Sequence, residues 1–363
     1  MRVIYIANIR LPTEKAHGVQ VMKTCEALAM LGHIVELVVP DRTSIITEDS
    51  FLYYGLAKRF RVHRLPVFDI TGRYGRLGFL IESFSFAYAA RRYLRDAAFD
   101  IIYGRDELIL AGLSQPYVWE SHTGAWNIAA RIVSRRAKHV VTISQGLKDF
   151  YIEKGVSEKK ISVAHDGVDM EQFANPEPKQ EARARLGLPA DGRIAMYIGR
   201  LDGWKGVDTL LEASELLVGD ATVAIIGGEA AQIEKLSRRH PGVRFLGFRP
   251  YTELRDNMAA ADVLVLPNTG KNDVSVKFTS PLKLFAYMAS GIPMVASDLP
   301  SVREVVDERS AFFFSPDDPV ALAAGIRCAL EKGRAQAADA RTRVEEYTWK
   351  RRAERILAAC AGA

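Results

Sequence analysis

The sequence predicts an α/β protein made of two doubly wound domains in tandem, and three observations support this. The chain has 363 residues, whereas single hydrophobic cores stop growing at about 250–300 residues, so two domains are expected. Short apolar segments alternate with amphipathic ones along nearly the whole length, which is typical of parallel sheets covered by helices on both faces. Near the middle, the polar segment NPEPKQEARARLGLPADG interrupts the pattern and is interpreted as the linker and the opening of the second domain.

Short apolar segments in the first half are expected to form buried strands. In chain order they read VIYIA, IVELVV, DIIY, YVWES, HVVTIS and ISVAH. Amphipathic helices are expected between several of them, most clearly in VQVMKTCEALAML and GFLIESFSFAYAARRYL. These elements define a first domain at residues 1–174.

The second half repeats the alternation. Its strands read IAMYIG, TVAIIGG, VRFLGF, DVLVLP and PMVAS, and its helices include VDTLLEASELL, AAQIEKLSRRH, YTELRDNMAAA, SPLKLFAYMAS and PVALAAGIRCALEKG. We place the second domain at residues 175–346 and a terminal helix at 347–363. Ligands of doubly wound folds lie beyond the carboxyl ends of the strands, so a site in a cleft between the domains is expected.

Composition predicts a soluble, cytoplasmic protein. Hydrophobic residues make up 48% and charged residues 26% of the chain, as in ordinary globular proteins. Cys25, Cys328 and Cys360 are far apart, so they fit neither a disulfide framework nor a metal site. The opening MRVIYIAN is too short for a signal peptide, and no run approaches the roughly 20 apolar residues of a membrane span.

The stretch YIGRLDGWKGVDTLL joins a strand to a helix through a loop that contains glycine. Arg200 and Lys205 flank the loop, where the positive end of the helix dipole also attracts anions. Phosphate or diphosphate is the natural ligand for such a loop. Taken alone, the two side chains are equally well explained as solvated loop charges.

The segment KFTSPLKLFAYMAS predicts a second anion site. Ser280 is expected to cap the helix and Pro281 to occupy its first position, which leaves backbone N–H groups beside Lys283. Because this segment follows an equivalent strand, it favours the phosphate interpretation of both loops over solvated charges.

Three further segments in the first half contain candidate residues. Gly18, in LPTEKAHGVQVM, would let backbone approach a ligand at a helix start, or it is a plain turn residue. The loop lacks a G-x-G-x-x-G fingerprint, so a nicotinamide cofactor is poorly supported. Glu120 and His122 share one face of a strand end, where His122 can bind a sugar hydroxyl or transfer a proton. Arg105 and Asp106 follow another strand, and capping the next helix is the favoured role of Asp106.

No metal or cofactor is expected. Asp166 and Asp169 do not have D-x-D spacing, and the sequence has no D-x-D motif and no close His/Cys cluster. It also lacks a G-x-S-x-G elbow and a Walker loop.

These motifs, in this order, resemble the retaining family-four glycosyltransferases of the GT-B fold. The similarity runs nearly end to end and is carried by KAHGVQVMKTCEAL, WESH, VVTISQGLKDF, HDGVDMEQF, YIGRLDGWKG, VRFLGFRPYTEL, ADVLVLPN and SPLKLFAYMASGIPMVASDLPSVREVV. The tail segment YTWKRRAERIL resembles the helix that crosses back onto the first domain in this family. The resemblance implies two Rossmann-like domains that face each other across a cleft.

The resemblance also implies an activity. A sugar would move from a UDP- or GDP-linked donor to a glycan or lipid-linked acceptor, with retention at the anomeric carbon and without metal or cofactor. In the implied front-face mechanism the leaving phosphate takes the acceptor's proton, which needs positioning more than a protein base. The resemblance implies Arg200 and Lys205 for the diphosphate, the loop of Phe248, Arg249 and Tyr251 for the base, Ser280, Pro281, Leu282 and Lys283 for phosphate and sugar, and His122 for the donor sugar. From their positions we add Gly18, Thr279 and Ala286 as donor-binding candidates and Arg105, Glu120 and His122 as acceptor-side candidates. His122, Arg200 and Lys205 are the candidate catalytic residues.

Ala286 departs from the family pattern. Members usually carry two glutamates separated by seven residues, and the alignment places Phe278 and Ala286 at those positions. The second glutamate holds the ribose hydroxyls, which alanine cannot do. A sugar-nucleotide-binding protein with impaired or no activity is therefore the main alternative. A nucleotide-sugar epimerase is weaker, because such enzymes need more carboxylates and histidines for acid/base work.

Residues 58–95 combine many cations with many aromatic residues. The cations are Lys58, Arg59, Arg61, Arg64, Arg73, Arg76, Arg91, Arg92 and Arg95, against only Asp69 and Glu82. Such a surface suits anionic lipid and predicts a peripheral location on the inner face of the cytoplasmic membrane. A solvated helix face with its aromatic residues in the core explains the pattern equally well. Nucleic acid is not expected, because the net charge is only +5 and no recognition motif is present.

Overall fold

The computed structural model describes residues 1–201 and 203–361, which form two compact units. Unit 1 consists of Met1–His165 and the C-terminal helix that begins at Trp349. Unit 2 consists of Asp166–Thr348. Residues 166–174 therefore belong to unit 2, and their assignment to the first domain was wrong. The reason is backbone pairing and packing: Val168 N donates to Tyr347 O over 2.9 Å, and Phe173 lies in the apolar core of unit 2.

Unit 1 is built on a seven-stranded parallel sheet. Its strands are β1 (Arg2–Ile6), β2 (Ile34–Asp41), β3 (Arg61–Pro66), β4 (Ile101–Gly104), β5 (Tyr117–Ser121), β6 (His139–Thr142) and β7 (Ile161–Val163). Its helices are α1 (Ala16–Met30), α2 (Ser50–Tyr53), α3 (Thr71–Asp96), α4 (Glu107–Ala111), α5 (Ile128–Arg136) and α6 (Gln145–Glu153). The strand order is β3-β2-β1-β4-β5-β6-β7, so the direction of winding reverses between β1 and β4. Ligands of doubly wound sheets bind beyond the carboxyl ends of such strands.

Unit 2 repeats this design with a six-stranded parallel sheet. Its strands are β8 (Ile194–Ile198), β9 (Thr222–Ile226), β10 (Arg244–Phe245), β11 (Val263–Leu266), β12 (Met294–Ser297) and β13 (Phe312–Phe314). Its helices are α7 (Lys179–Leu186), α8 (Val207–Leu216), α9 (Ala230–Arg239), α10 (Leu254–Ala259), α11 (Leu282–Ser290), α12 (Pro300–Arg303), α13 (Pro319–Lys332) and α14 (Arg334–Arg343). The order β10-β9-β8-β11-β12-β13 reverses between β8 and β11. Two apolar clusters cover the two faces of the sheet, as the near-continuous apolar strands require.

The C-terminal helix α15 (Trp349–Ala361) completes unit 1 and packs against α1. It buries Ala353 and Ile356 on one face, together with the charged side chain of Arg352. The predicted return of the terminal helix to the first domain is confirmed.

Helix α3 is interrupted near its start. Gly75 has φ 50° and ψ −120°, which L residues with a side chain rarely adopt, so two helical segments meet there. The inner face carries Glu82, which is fully buried and forms an ion pair with Arg42. Among the described helices, none has the length and apolar character needed to cross a membrane.

Candidate functional site

In unit 1, the polar centre is the carboxylate of Glu120, at the carboxyl end of β5. Glu120 is fully buried. Its hydrogen-bond donors are Tyr5 Oη at 3.5 Å, Gln20 Nε2 at 2.8 Å, Arg352 Nη2 at 2.7 Å, Tyr103 Oη and His122 Nε2. Burial would raise the pKa of this carboxyl, but Arg352 and then His122 and Arg105 hold it well below its usual range. Glu120 is therefore an anion whose charge is fully compensated inside the unit.

His122 follows β5 directly, and its Nε2 is hydrogen-bonded to the Glu120 carboxylate. Burial and then the Arg105 guanidinium lower the pKa of His122 to about 4, outweighing the attraction of Glu120. The imidazole is thus neutral at pH 7, and because Glu120 carries no proton, Nε2 must carry the hydrogen. Nδ1 is then the acceptor. The side chain is 16% exposed, so the ring keeps access to the surface.

Arg105 and His17 complete this cluster. Arg105, just after β4, donates from Nη1 to Gln20 Oε1 over 3.1 Å. Burial, followed by Arg105, lowers the pKa of His17 to about 3. The structure therefore brings together the predicted residues Arg105, Glu120 and His122 and adds Gln20 and His17, which the sequence prediction missed. Both lie in or next to the predicted helix start AHGVQ, where only a tertiary contact distinguishes them from ordinary helix residues.

The structure bears on two further predictions for unit 1, those for Gly18 and Asp106. The space beside Gly18 is occupied by Tyr54, because a Cβ on Gly18 would lie 2.1 Å from Tyr54 Oη. Packing of Tyr54 thus explains this glycine, and approach of a ligand to it stays a prediction. Asp106 lies at the N-cap position of α4, but its side chain makes no cap hydrogen bond and accepts instead from Asn8 N at 2.7 Å. Its proposed capping role was wrong.

In unit 2, the loops after β8 and β11 are packed together where the sheet reverses its winding. Gly206 has φ 66°, and a Cβ there would lie 1.7 Å from Pro267 O. Thr269 N donates to Trp204 O over 3.2 Å. These contacts hold the loop of Arg200 and Lys205 against the carboxyl end of β11, which is the position where doubly wound sheets bind ligands.

Lys283 connects the two predicted anion motifs. It belongs to the first turn of α11, and its Nζ lies 4.0 Å from the centroid of the Tyr197 ring at the end of β8. A Cβ on Gly199 would be only 2.8 Å from that Nζ. Tyr197 Oη in turn donates to Arg200 O over 2.6 Å. The ammonium group therefore lies beside the backbone that leads into the Arg200 loop.

The cations of this loop are not all directed at a helix N-terminus. Arg200 is exposed, while Lys205 Nζ lies 3.4 Å from the centroid of the Trp204 ring, a cation–π contact. The first turn of α8 also contains Asp208, whose charge offsets part of the positive end of that helix.

The start of α11 differs from the prediction by one residue. The helix begins at Leu282, Pro281 is the N-cap, and no side chain caps the first turn. Ser280 Oγ instead accepts a hydrogen bond from Asp166 N at 2.9 Å. The prediction that Ser280 caps α11 was wrong, because its hydroxyl binds the backbone N–H of Asp166 in the loop after β7. Backbone N–H groups of the first turn are thus left without a side-chain cap, as an anion site requires.

Ala286 lies one turn further along α11, on the face of Leu282 and Lys283. It is 4% exposed and packs in the apolar core of unit 2. Thr279, which precedes the helix, is 8% exposed.

The predicted base-binding loop follows β10. Gly247 has φ 70°, and its carbonyl accepts from Gly227 N at 2.7 Å. Phe248 is 55% exposed, Arg249 has its Nε buried, and Tyr251 begins a short 3₁₀ turn that ends at Glu253. An exposed aromatic ring at a strand end is suited to stacking on a planar group.

Asn268 is a polar residue that the sequence prediction missed. It follows β11 directly and is fully buried, and within the described residues neither its Nδ2 nor its Oδ1 has a hydrogen-bond partner. The Pro-Asn pair after the strand DVLVL is the signal that would have indicated it. Across residues 1–201 and 203–361, no group of three or more His, Cys, Asp or Glu side chains is arranged to hold a metal.

Two protein-family models match the chain in series. "Glycosyltransferase Family 4" matches residues 17–172, and "Glycosyl transferases group 1" matches residues 192–332. The first match includes Arg105, Glu120 and His122, and the second includes the Arg200 and Lys283 loops. Each half of the chain is thus similar to a glycosyltransferase family.

Curated relatives are about 30% identical to this chain over roughly half of its length. A candidate teichuronic acid biosynthesis glycosyltransferase, TuaC of Bacillus subtilis (strain 168), is 31% identical over 56% of this chain and 49% of the relative. A D-inositol 3-phosphate glycosyltransferase of Streptomyces avermitilis is 30% identical over 46% of this chain and 39% of the relative. The matches thus span half or less of those two relatives.

Solved structures extend the similarity to nearly the whole chain. Anabaena Alr3699/HepE, in complex with UDP and glucose, superposes with a TM-score of 0.79 at 18% identity, covering 99% of both chains. Sucrose-phosphate synthase of Thermosynechococcus elongatus gives a TM-score of 0.76 at 20% identity, covering 99% of this chain and 98% of that one. The fold is therefore GT-B, as predicted.

Proposed function

We propose that the protein is a retaining glycosyltransferase that moves a sugar from a UDP- or GDP-linked donor to a glycan or lipid-linked acceptor, without a metal ion. The donor would bind to unit 2, at the carboxyl ends of β8 and β11. The description of Alr3699/HepE as a complex with UDP and glucose supports this choice of donor class.

The observation that carries the proposal is the position of Lys283. Its Nζ lies beside Gly199 and the Tyr197 ring. The lysine of the α11 motif therefore lies next to the first residues of the Arg200 loop. Two motifs that lie about 80 residues apart in sequence thus form one basic edge of the sheet, next to the uncapped first turn of α11. A diphosphate has the charge and the number of acceptor oxygens to bind there.

The chemistry follows from the charges. When the bond between the sugar and the diphosphate breaks, negative charge develops on the leaving oxygens. In this proposal, Arg200, Lys205, Lys283 and the N–H groups of α11 stabilise that charge more in the transition state than in the ground state. We propose that neutral His122 of unit 1 forms a hydrogen bond with the transferred sugar. The leaving phosphate accepts the proton of the acceptor's hydroxyl group.

Nucleotide binding tests the proposal directly. We expect UDP or GDP, and their sugar conjugates, to raise the melting temperature of the protein, because a ligand of the native state stabilises it. The double variant Arg200→Gln/Lys205→Gln and the single variant Lys283→Gln should each weaken binding at least about tenfold, since charge-assisted hydrogen bonds contribute about 1.5–3 kcal/mol. Arg238→Gln/Arg239→Gln, exposed cations on α9 of the same unit, is the matched control and should bind normally. Unchanged binding in the first two variants would refute the assignment.

Turnover is measured separately. Product NMR should show the same anomeric configuration as the donor, and activity should persist in EDTA. Inverted product, or activity abolished by EDTA and restored by a metal, would contradict the retaining or the metal-independent part of the proposal.

A sugar-nucleotide-binding protein without transferase activity is the second candidate. Ala286 favours it, since its methyl group cannot accept hydrogen bonds from a ribose diol and is 4% exposed. Tight donor binding without donor hydrolysis or transfer, over a panel of acceptors, would select this candidate.

A further inference from the structure

Helix α3 exposes a continuous apolar stripe. We call Leu77, Leu80, Ile81, Phe84 and Tyr88 the outer stripe, and their side chains are 60%, 49%, 41%, 60% and 68% exposed. The spacing of three and four residues places them on one side of the helix over about 17 Å at 1.5 Å per residue. Phe68, 74% exposed, and Tyr74, 51% exposed, extend the apolar surface past the kink at Gly75.

The opposite side of the same helix is partly polar and is held in the interior. Glu82 and Ser83 are buried there. Arg42 pairs with Glu82, and Asn8 Nδ2 donates to Ser83 Oγ over 2.9 Å. The other buried residues of this inner face include the apolar Phe86, Ala87, Ala90 and Leu94. A surface helix normally buries one apolar side and exposes a polar one, whereas α3 leaves a second apolar side exposed. The inward polar contacts fix this orientation, so the outer stripe needs an apolar partner.

Cations stand at both ends of the outer stripe. Arg73 and Arg76 precede it, and Arg92 and Arg95 follow it at helical spacings from Tyr88. All four side chains are exposed, and within the described residues no carboxylate forms an ion pair with them. The stripe is thus apolar in the middle and cationic at each end.

Only part of the basic segment 58–95 contributes to this surface. Arg64 is used internally, donating to Leu11 O at 2.7 Å and Ser50 Oγ at 3.1 Å. Lys58 pairs with Asp49. Phe60 and Phe86 are buried. The structure therefore divides the segment: Phe60 and Phe86 are core residues, whereas the aromatic residues of the outer stripe are exposed.

We propose that the outer stripe docks the protein in the plane of an anionic lipid bilayer. The apolar side chains would enter the boundary between headgroups and acyl chains, and the four arginines would lie at headgroup phosphates. A second copy of the chain fits less well, because a symmetric antiparallel contact would bring Arg73 and Arg76 of one copy against Arg92 and Arg95 of the other. This inference does not depend on the proposed sugar transfer.

Vesicle flotation of the full-length protein tests the inference. Vesicles of phosphatidylcholine alone are compared with vesicles that contain increasing phosphatidylglycerol. We expect binding to rise with the phosphatidylglycerol fraction and to fall with added salt. Leu80→Ser/Phe84→Ser should reduce the partition coefficient at least about tenfold, since each apolar side chain contributes about 1.5–3 kcal/mol on burial. Arg76→Gln/Arg92→Gln should reduce it roughly tenfold or more on anionic vesicles only, at about 1 kcal/mol per cation.

Matched controls separate the stripe from general surface effects. Ile128→Ser/Val218→Ser removes apolar side chains that are 77% and 83% exposed elsewhere. Arg238→Gln/Arg239→Gln removes two exposed cations from α9. Both double variants should bind vesicles like the unmodified protein, and all variants should retain its far-UV circular dichroism.

A gain-of-signal probe keeps the inference testable if a serine variant misfolds. Phe84→Trp preserves the apolar surface, and its fluorescence should shift to the blue and be quenched by brominated lipid on anionic vesicles. Three outcomes would overturn the inference: equal binding to neutral and anionic vesicles, no binding to either, or a concentration-dependent dimer that Leu80→Ser/Phe84→Ser dissociates. The last would identify a second copy as the partner.

Discussion

Arg352 Nη2 donates to Glu120 Oε2 over 2.7 Å, although 232 positions separate the two residues. Both side chains are almost fully buried, at 1% and 0% exposure. Arg352 also donates to Ala164 O and to His165 O, the latter over 3.0 Å. One guanidinium thus fixes the C-terminal helix to the end of β5 and to the chain segment that leaves unit 1.

Removing this guanidinium should destabilise unit 1 strongly. We expect Arg352→Met to lower the free energy of unfolding by about 3–5 kcal/mol, because it leaves the Glu120 carboxylate buried without its main counter-charge. Arg351→Met is the neighbouring control, since Arg351 is 63% exposed, and it should cost less than about 1 kcal/mol. Urea denaturation measures both. The double variant Glu120→Gln/Arg352→Met should recover part of the loss; equal losses for Arg351→Met and Arg352→Met would contradict this role.

The lowered pKa of His122 predicts that the folded protein loses stability on acidification. Its pKa is about 4 in the folded protein, against about 6.5 for an unperturbed histidine. Below pH 6.5 the unfolded chain binds a proton that the folded protein does not, so this contribution to stability is present above pH 6.5 and is lost as the pH falls towards 4.

The matched variant is His122→Gln, which keeps a donor for Glu120 but does not titrate. Between pH 6 and 4.5 we expect the free energy of unfolding to fall less steeply in the variant, by up to about 1.4 kcal/mol per pH unit. Urea denaturation at several pH values gives the two slopes, and ¹⁵N NMR of the imidazole should show the Nε2–H tautomer at pH 7. Parallel slopes would mean that His122 titrates normally.

Ala286→Glu tests the ribose site. A carboxylate at this position should accept hydrogen bonds from the ribose diol and tighten nucleotide binding by roughly 1.5–3 kcal/mol, a decrease in Kd of about tenfold or more. Ala286→Gln is the uncharged control of similar size and should gain less. Calorimetric titration with UDP and GDP gives the Kd values, and thermal melts check that the buried position tolerates the larger side chain. If both variants bind like the unmodified protein, the ribose lies elsewhere.

Gly206→Ala should disturb the packing of the two donor-side loops. A Cβ would lie 1.7 Å from Pro267 O, a backbone atom that cannot move aside cheaply. Gly219→Ala is the control, because Gly219 also has positive φ, at 88°, but would place its Cβ in open space. The control should cost about 1–2 kcal/mol, which is the conformational cost alone, and Gly206→Ala should cost more and also weaken nucleotide binding. Equal costs would show that the loop relaxes freely.

The amino-acid pattern alone predicts the alternating α/β elements, their division into two domains, the loops that contain Arg200 and Lys283, and the polar pair Glu120 and His122. Each of these depends on a local property of the sequence: the periodicity of apolar residues, the positions of glycine and proline, or the spacing of polar residues along one strand. Local patterns determine secondary structure and strand ends, and in a parallel sheet strand ends collect at one edge.

The partner of each side chain is known only from the folded structure. Arg352 looked like one of several tail cations and is a buried counter-ion, while Ser280 looked like a helix cap and binds the backbone at Asp166. Likewise, Phe84 and Phe86 are two residues apart on α3, yet one faces solvent and the other the core. Such outcomes depend on contacts between residues far apart in sequence, whose burial and charge compensation no local pattern encodes.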